Sequence, residues 1–193
     1  MTTHRQTTFT QDILSWLPWL ETVDELDATP EQLAAVDAIT TAKRGREYWA
    51  TLANDPVSLH ARYGIFNEII SGPGGGPRSD RELAATATSR VTSCIYCASV
   101  HARAYSGLVK ERETAQRLLD EGPSAEFGPR ERAIIDFSVK LALRPDEISP
   151  EDIAPLKEAG LSDIEIFDVI GSSAIFSNAN RLMATLGEAR HED

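Results

Sequence analysis

The stretch Thr92-Ser93-Cys94-Ile95-Tyr96-Cys97-Ala98-Ser99-Val100-His101 holds both cysteines of the chain, and a histidine follows the second by four residues. In a helix, residues three and four apart share a face, so Cys94, Cys97 and His101 fall on one stripe. Ser93 reads as the N-cap of that helix, which places both cysteines in the first turn. Free N–H groups and the positive dipole end stabilise a thiolate there, and the thiolate is the attacking form of the side chain.

Upstream, Ser79-Asp80-Arg81-Glu82 has the pattern of a capping box, and Leu83, Ala84, Ala87 and Val91 carry a helix from it to the cysteines. No Gly or Pro separates the two helices, so the pattern predicts a tight corner at Val91-Thr92-Ser93, made from β-branching and the Ser cap. Further back, Asp55-Pro56 opens a helix with Leu59, Tyr63, Phe66, Ile69 and Ile70 at helical spacing. It stops at Ser71-Gly72-Pro73-Gly74-Gly75-Gly76-Pro77. That run lacks the Lys-Ser/Thr of a phosphate loop and follows a helix, so it reads as a structured turn. Thr29-Pro30-Glu31-Gln32 is another capped start.

Downstream, Gly122-Pro123 ends a segment carrying Leu118 and Leu119, and a helix runs from about Arg130 to Leu141 before Pro145. Ser149-Pro150-Glu151-Asp152 starts a short helix. Ser162 and Glu165 form a capping box, with Leu161 and Ile166 placed as a hydrophobic staple. The final helix, reaching Gly187, is the most apolar and is expected at the centre. No period-two alternation, hairpin dipeptide or repeat occurs, so the fold class is all-α. Residues 29–193 form one expected helical domain, with a redox core over about 56–121. Residues 1–28, with Trp16, Leu17, Trp19 and Leu20 around Pro18, form an apolar arm expected to pack across a subunit boundary.

The chain carries 30 acidic against 19 basic residues, a net charge of -11, and no Lys/Arg cluster, which speaks against nucleic acid and anionic membranes as partners. No apolar run approaches bilayer length and no leader pattern opens the chain, so the expected location is cytoplasmic. Two cysteines are too few for a secreted disulfide scaffold and point to redox chemistry or metal.

Structural zinc needs four ligands, and beyond the motif only His4, His60 and His191 remain as N/S donors, with no second ligand pair. A thioredoxin motif also places C-x-x-C at a helix start, but its βαβ patterning is missing. The plain alternative is two buried cysteines acting as small hydrophobes beside a hydrogen-bonded histidine. Against it stand the histidine at i+4, the helix-start position, and Glu82, although Glu82 equally suits the last position of its own capping box.

Glu82, Cys94-Ile95-Tyr96-Cys97 and His101 together have the spacing E-x11-C-x2-C-x3-H, which resembles the AhpD-like alkylhydroperoxidases of the carboxymuconolactone decarboxylase superfamily. Thr88-Ser89-Arg90, His101-Ala102, the Gly72-Pro73-Gly74-Gly75 turn and Trp16-Leu17-Pro18-Trp19-Leu20 are similar to its peroxidase-related branch. The resemblance implies an all-helical fold, trimers or hexamers, and a two-cysteine peroxidase cycle without cofactor or metal. Those enzymes carry a histidine just before the second cysteine, where this chain has Tyr96. Decarboxylases of the superfamily lack the C-x-x-C, so that activity is not expected.

The expected activity is reduction of a hydroperoxide. Cys97 attacks, Cys94 resolves, His101 takes the thiol proton and Glu82 orients His101; a dithiol or protein reductant restores the pair. The rival expectation is a redox-responsive, oligomeric interaction protein without significant turnover.

Overall fold

The computed structural model describes residues 4–24, 26–39, 46–73 and 75–191. Gly74 of the glycine-rich turn lies outside the described residues. The helices are α1 (Pro30–Asp37), α2 (Arg46–Leu52), α3 (Pro56–Ser71), α4 (Arg78–Val91), α5 (Ile95–Val109), α6 (Glu113–Glu121), α7 (Pro129–Leu143), α8 (Pro150–Glu158) and α9 (Asp163–Leu186). The class is all-α. None of these helices is long and apolar enough to cross a membrane.

The capped starts are where their residue types put them. Thr29 accepts from the Gln32 N–H while Gln32 caps Thr29, and Asp55 caps α3 with Pro56 at its first position. Ser162 and Glu165 complete their box, and the staple residues Leu161 and Ile166 are both buried in the main core.

The centre belongs to α4, not to the more apolar α9. Every residue from Arg81 to Ser89 is buried, and the helix packs on α5, α7 and α9. Most of these side chains are small: Ala84, Ala85, Thr86, Ala87, Thr88 and Ser89. Their size lets neighbouring helices approach from several sides, a property that a ranking by hydrophobicity misses. By contrast α9 leaves Ile164 and Phe167 exposed.

A small sheet, unforeseen in the sequence, ties the arm to the far end of the chain. Strands β1 (His4–Arg5) and β2 (Ser15–Pro18) flank β3 (Gly187–His191), all pairs antiparallel, with Trp16 opposite Ala189. These strands, of two, four and five residues, are too short for alternation to register. Trp16 is thereby buried against its own chain, edge-on to Tyr48 at 5.5 Å, whereas Ile13, Leu17, Trp19 and Leu20 remain exposed.

The apolar interior has two main parts. The larger is built by α4 to α9. The second gathers Trp16, Ala35, Ile39, Tyr48, Trp49, Ala53 and Leu59 from the N-terminal segments around Cys94, Cys97 and Met183.

Candidate active site

Helices α4 and α5 meet at a corner built by backbone, not by a Ser cap. Thr92 N–H bonds Thr88 O, Cys94 N–H reaches back to Ser89 O at 3.1 Å, and Ser93 sits in the left-handed region at φ 60°. That is a Schellman ending with serine where glycine is usual. The N-cap of α5 is therefore Cys94 instead of Ser93, and its carbonyl accepts from Ala98 N–H. The shift by one residue follows because an αL residue cannot also hold the extended backbone of an N-cap.

Asn180 of α9 pins this corner from inside. Its Oδ1 accepts from Ser89 Oγ at 3.2 Å and its Nδ2 donates to Thr92 Oγ1 at 2.8 Å. Nothing in the sequence marks Asn180 for this role, since it lies 88 positions away from Thr92.

Cys94 and Cys97 are joined as a disulfide with their Cα atoms 5.4 Å apart, both side chains buried. Cys97 is the third residue of α5, in the turn whose N–H groups lack helical partners. Met183 Sδ lies 3.3 Å from Cys97 Sγ. Tyr96 is partly buried and packs on the aromatic cluster around the sulfurs.

His101 follows one turn after Cys97. Its Nδ1 is 2.6 Å from Glu82 Oε2, and its ring stands edge-on to Phe176 at 4.1 Å. With Nδ1 turned to the carboxylate, Nε2 is the ring nitrogen left for another partner.

Glu82 is 1% exposed, so its capping-box reading is overturned. Helix α4 begins at Arg78, ahead of Ser79, and Pro77 holds the N-cap position. The buried carboxylate instead spans His101 and Arg78, whose Nη2 and Nε lie 2.9 and 3.0 Å from Oε1. Burial pushes the Glu82 carboxyl up, but the charges and hydrogen bonds of His101 and Arg78 outweigh it and hold the group below the usual carboxylate range.

All four residues singled out in the sequence thus lie on α4, at the N-cap of α5 and in its first half, with Glu82 and His101 in contact and the cysteines bonded. Arg78, Phe176, Met183 and Asn180 are additional members. Arg78 was the legible one, because it precedes Glu82 by one helical turn. Among the described residues, no group of three His, Cys, Asp or Glu is placed to hold a metal ion.

A buried C-x-x-C disulfide at a helix start, beside a His–Glu couple inside an all-helical body, is an arrangement suited to thiol–disulfide chemistry. Residues 56–140, which span α3 to most of α7, match the carboxymuconolactone decarboxylase family. Over that stretch the chain is similar to this family, and its all-helical fold is that of AhpD-like proteins.

Among solved structures, the chain is similar to a peroxidase-related protein with an alkylhydroperoxidase AhpD core from Ralstonia eutropha JMP134. Identity is 25%, the match covers 91% of this chain and 90% of that one, and the TM-score is 0.73. A peroxidase-related protein from Silicibacter sp. TM1040 matches at 22% identity, over 88% and 91% of the two chains, with TM-score 0.71. The debrominase Bmp8 has the same fold at 19% identity, over 85% and 87%, with TM-score 0.69. No curated protein matches the chain in sequence.

Proposed function

We propose that this protein is a cofactor-free thiol peroxidase reducing organic hydroperoxides through Cys94 and Cys97, in antioxidant defence. One observation carries the reading: a buried carboxylate holds His101 by Nδ1, one helical turn beyond a cysteine already paired in a C-x-x-C disulfide. The AhpD-core relative points the same way.

His101 takes the Cys97 thiol proton, and the thiolate sulfur bonds to the outer peroxide oxygen. The O–O bond breaks, and the alkoxide leaves as an alcohol with the proton returned from His101. Cys97 is then a sulfenic acid; the Cys94 thiol displaces water from it and the disulfide forms. An external dithiol, free or on a protein, reduces the disulfide and is itself oxidised. Glu82 is a positioning residue: it fixes the His101 tautomer and balances the imidazolium formed when the proton arrives. The chain acts as a cytoplasmic homo-oligomer, a trimer or hexamer, and the exposed Ile13, Leu17, Trp19 and Leu20 support such an assembly.

A second reading has one observation in its favour. Both cysteines are buried in one cluster with Trp16, Tyr48 and Trp49, as suits a redox-responsive interaction protein whose disulfide alters assembly. Consumption of cumene hydroperoxide with dithiothreitol present decides. Many equivalents per subunit establish the peroxidase; a single equivalent, accompanied by a change in sedimentation, establishes the switch.

A further inference from the structure

A second polar group lies against the aromatic cluster that includes the cysteines. Arg62 projects from α3, and its Nε donates to Asn178 Oδ1 at 3.1 Å. Its guanidinium carbon stands 5.7, 5.8 and 5.9 Å from the ring centroids of Tyr48, Trp49 and Phe66. Both terminal nitrogens, Nη1 and Nη2, are shut off from solvent and have no hydrogen-bond partner among the described residues. The Tyr48 hydroxyl is in the same state.

Guanidinium nitrogens only donate, and ring faces attract the cation without accepting directed hydrogen bonds from the whole fork. Burial raises the Tyr48 hydroxyl to about 12, with Arg62 pulling the other way, so the phenol keeps its proton and is also available to donate. Among the described residues the guanidinium fork thus has donors that no acceptor meets. Buried donors left unsatisfied are costly, and such cost persists where something else supplies the acceptor.

We propose that Arg62 and Tyr48 form the carboxylate-binding end of the substrate site, so that the preferred hydroperoxide is an apolar acid. This rests on the peroxidase reading for the word substrate, not for the binding site itself. A carboxylate offers the bidentate geometry that a guanidinium fork matches. One cation and one phenol among aromatic rings suit a monoanion with an apolar body. Tyr48 and Trp49 pack in one cluster with Cys94 and Cys97, so an apolar chain held by its carboxylate at Arg62 would share that cluster with the sulfurs.

Binding is measured on the oxidised protein by quenching of tryptophan fluorescence with decanoate and with decanol. Decanoate is expected to bind about ten-fold or more tightly than decanol, the scale of a hydrogen bond to a charged group. Arg62→Met removes that preference, Arg62→Lys restores part of it, and Tyr48→Phe reduces it several-fold. Equal binding of the two probes to wild type, or a preference that survives Arg62→Met, overturns the site. Should Arg62→Met fail to fold, the wild-type ratio together with Tyr48→Phe decides.

Turnover of linoleic acid hydroperoxide and its methyl ester then separates the two proposals. A higher kcat/KM for the acid, levelled by Arg62→Met, supports the substrate assignment. Equal kcat/KM for acid and ester overturns it while leaving the peroxidase intact. A decanoate preference with no turnover of either hydroperoxide keeps the carboxylate site and removes the peroxidase.

Discussion

Met183 Sδ lies 3.3 Å from Cys97 Sγ, so a thioether from α9 closes one side of the redox pair. Both side chains are buried in the aromatic cluster. Met183→Ala should destabilise by about 2–5 kcal/mol through the cavity it leaves. It should also speed reduction of the disulfide by dithiothreitol, followed as free thiol released. Met183→Leu keeps the volume and should cost under about 1.5 kcal/mol, with a near wild-type reduction rate. Identical thiol release from all three proteins would mean that Met183 does not guard the sulfur.

Glu82→Gln should lower peroxide consumption by about ten-fold or more, within the range for loss of a positioned proton-transfer partner. It should also destabilise at neutral pH by about 1–3 kcal/mol, because Arg78 and His101 lose a charged acceptor inside the protein. The folded-state pKa of Glu82 is depressed, so its stabilisation is present above the unfolded-state value and is lost as pH falls through the folded one. The melting difference between wild type and Glu82→Gln should therefore be full above about pH 4.5 and shrink below it. A difference that grows on acidification would reverse this assignment.

The two cysteines should differ. Only Cys97 has His101 one turn along the same helix; Cys94 is the N-cap residue at the corner. With one equivalent of hydroperoxide, Cys94→Ser should accumulate a sulfenic acid on Cys97 that a dimedone-type probe labels, and Cys97→Ser should consume none. The opposite pattern exchanges the roles.

Ser93 tests the corner. At φ 60° a β-branched residue is strained, so Ser93→Val should lower stability by about 1–2 kcal/mol, whereas Ser93→Gly should be tolerated. Asn180→Ala, which removes the acceptor of Ser89 and the donor to Thr92, should cost about 1–3 kcal/mol. Thermal melts of the three variants rank them, and a wild-type melt for Ser93→Val would contradict the backbone account of the turn.

A Cβ on Gly187 would overlap the Trp16 ring and the Leu17 carbonyl. Gly187→Ala should therefore loosen β2 from β3, shift tryptophan emission to the red and hasten reduction of the disulfide that shares a cluster with Trp16. Unchanged emission and unchanged reduction would place the cover of the cysteines elsewhere.

Much of this was legible because the signals were local. Thr29, Asp55, Ser149 and Ser162 cap helices through hydrogen bonds three residues long, and Glu82, Cys94, Cys97 and His101 fall on helix faces fixed by spacing. Ser93 failed as a cap because it closes the preceding helix in the left-handed region, and the backbone bond from Cys94 to Ser89 that fixes it there leaves no mark in the residue types. Glu82 fitted a capping box and a His partner equally well until burial decided between them. Asn180, Phe176 and Met183 were unreadable because their neighbours at the site lie more than seventy positions away, as with Met183 at 86 positions from Cys97. The sheet was hidden for the same reason.

The pairing of β2 with β3 also orders events in time. Ser15 meets Arg190 across 175 positions, so the strand that seats Trp16 is made after every helix of the body. Closing so long a loop is entropically slow, and domains synthesised from the N-terminus collapse around what has already emerged. During synthesis the two thiols are therefore in place, and meet any oxidant present, before Trp16 can be seated in the cluster they share.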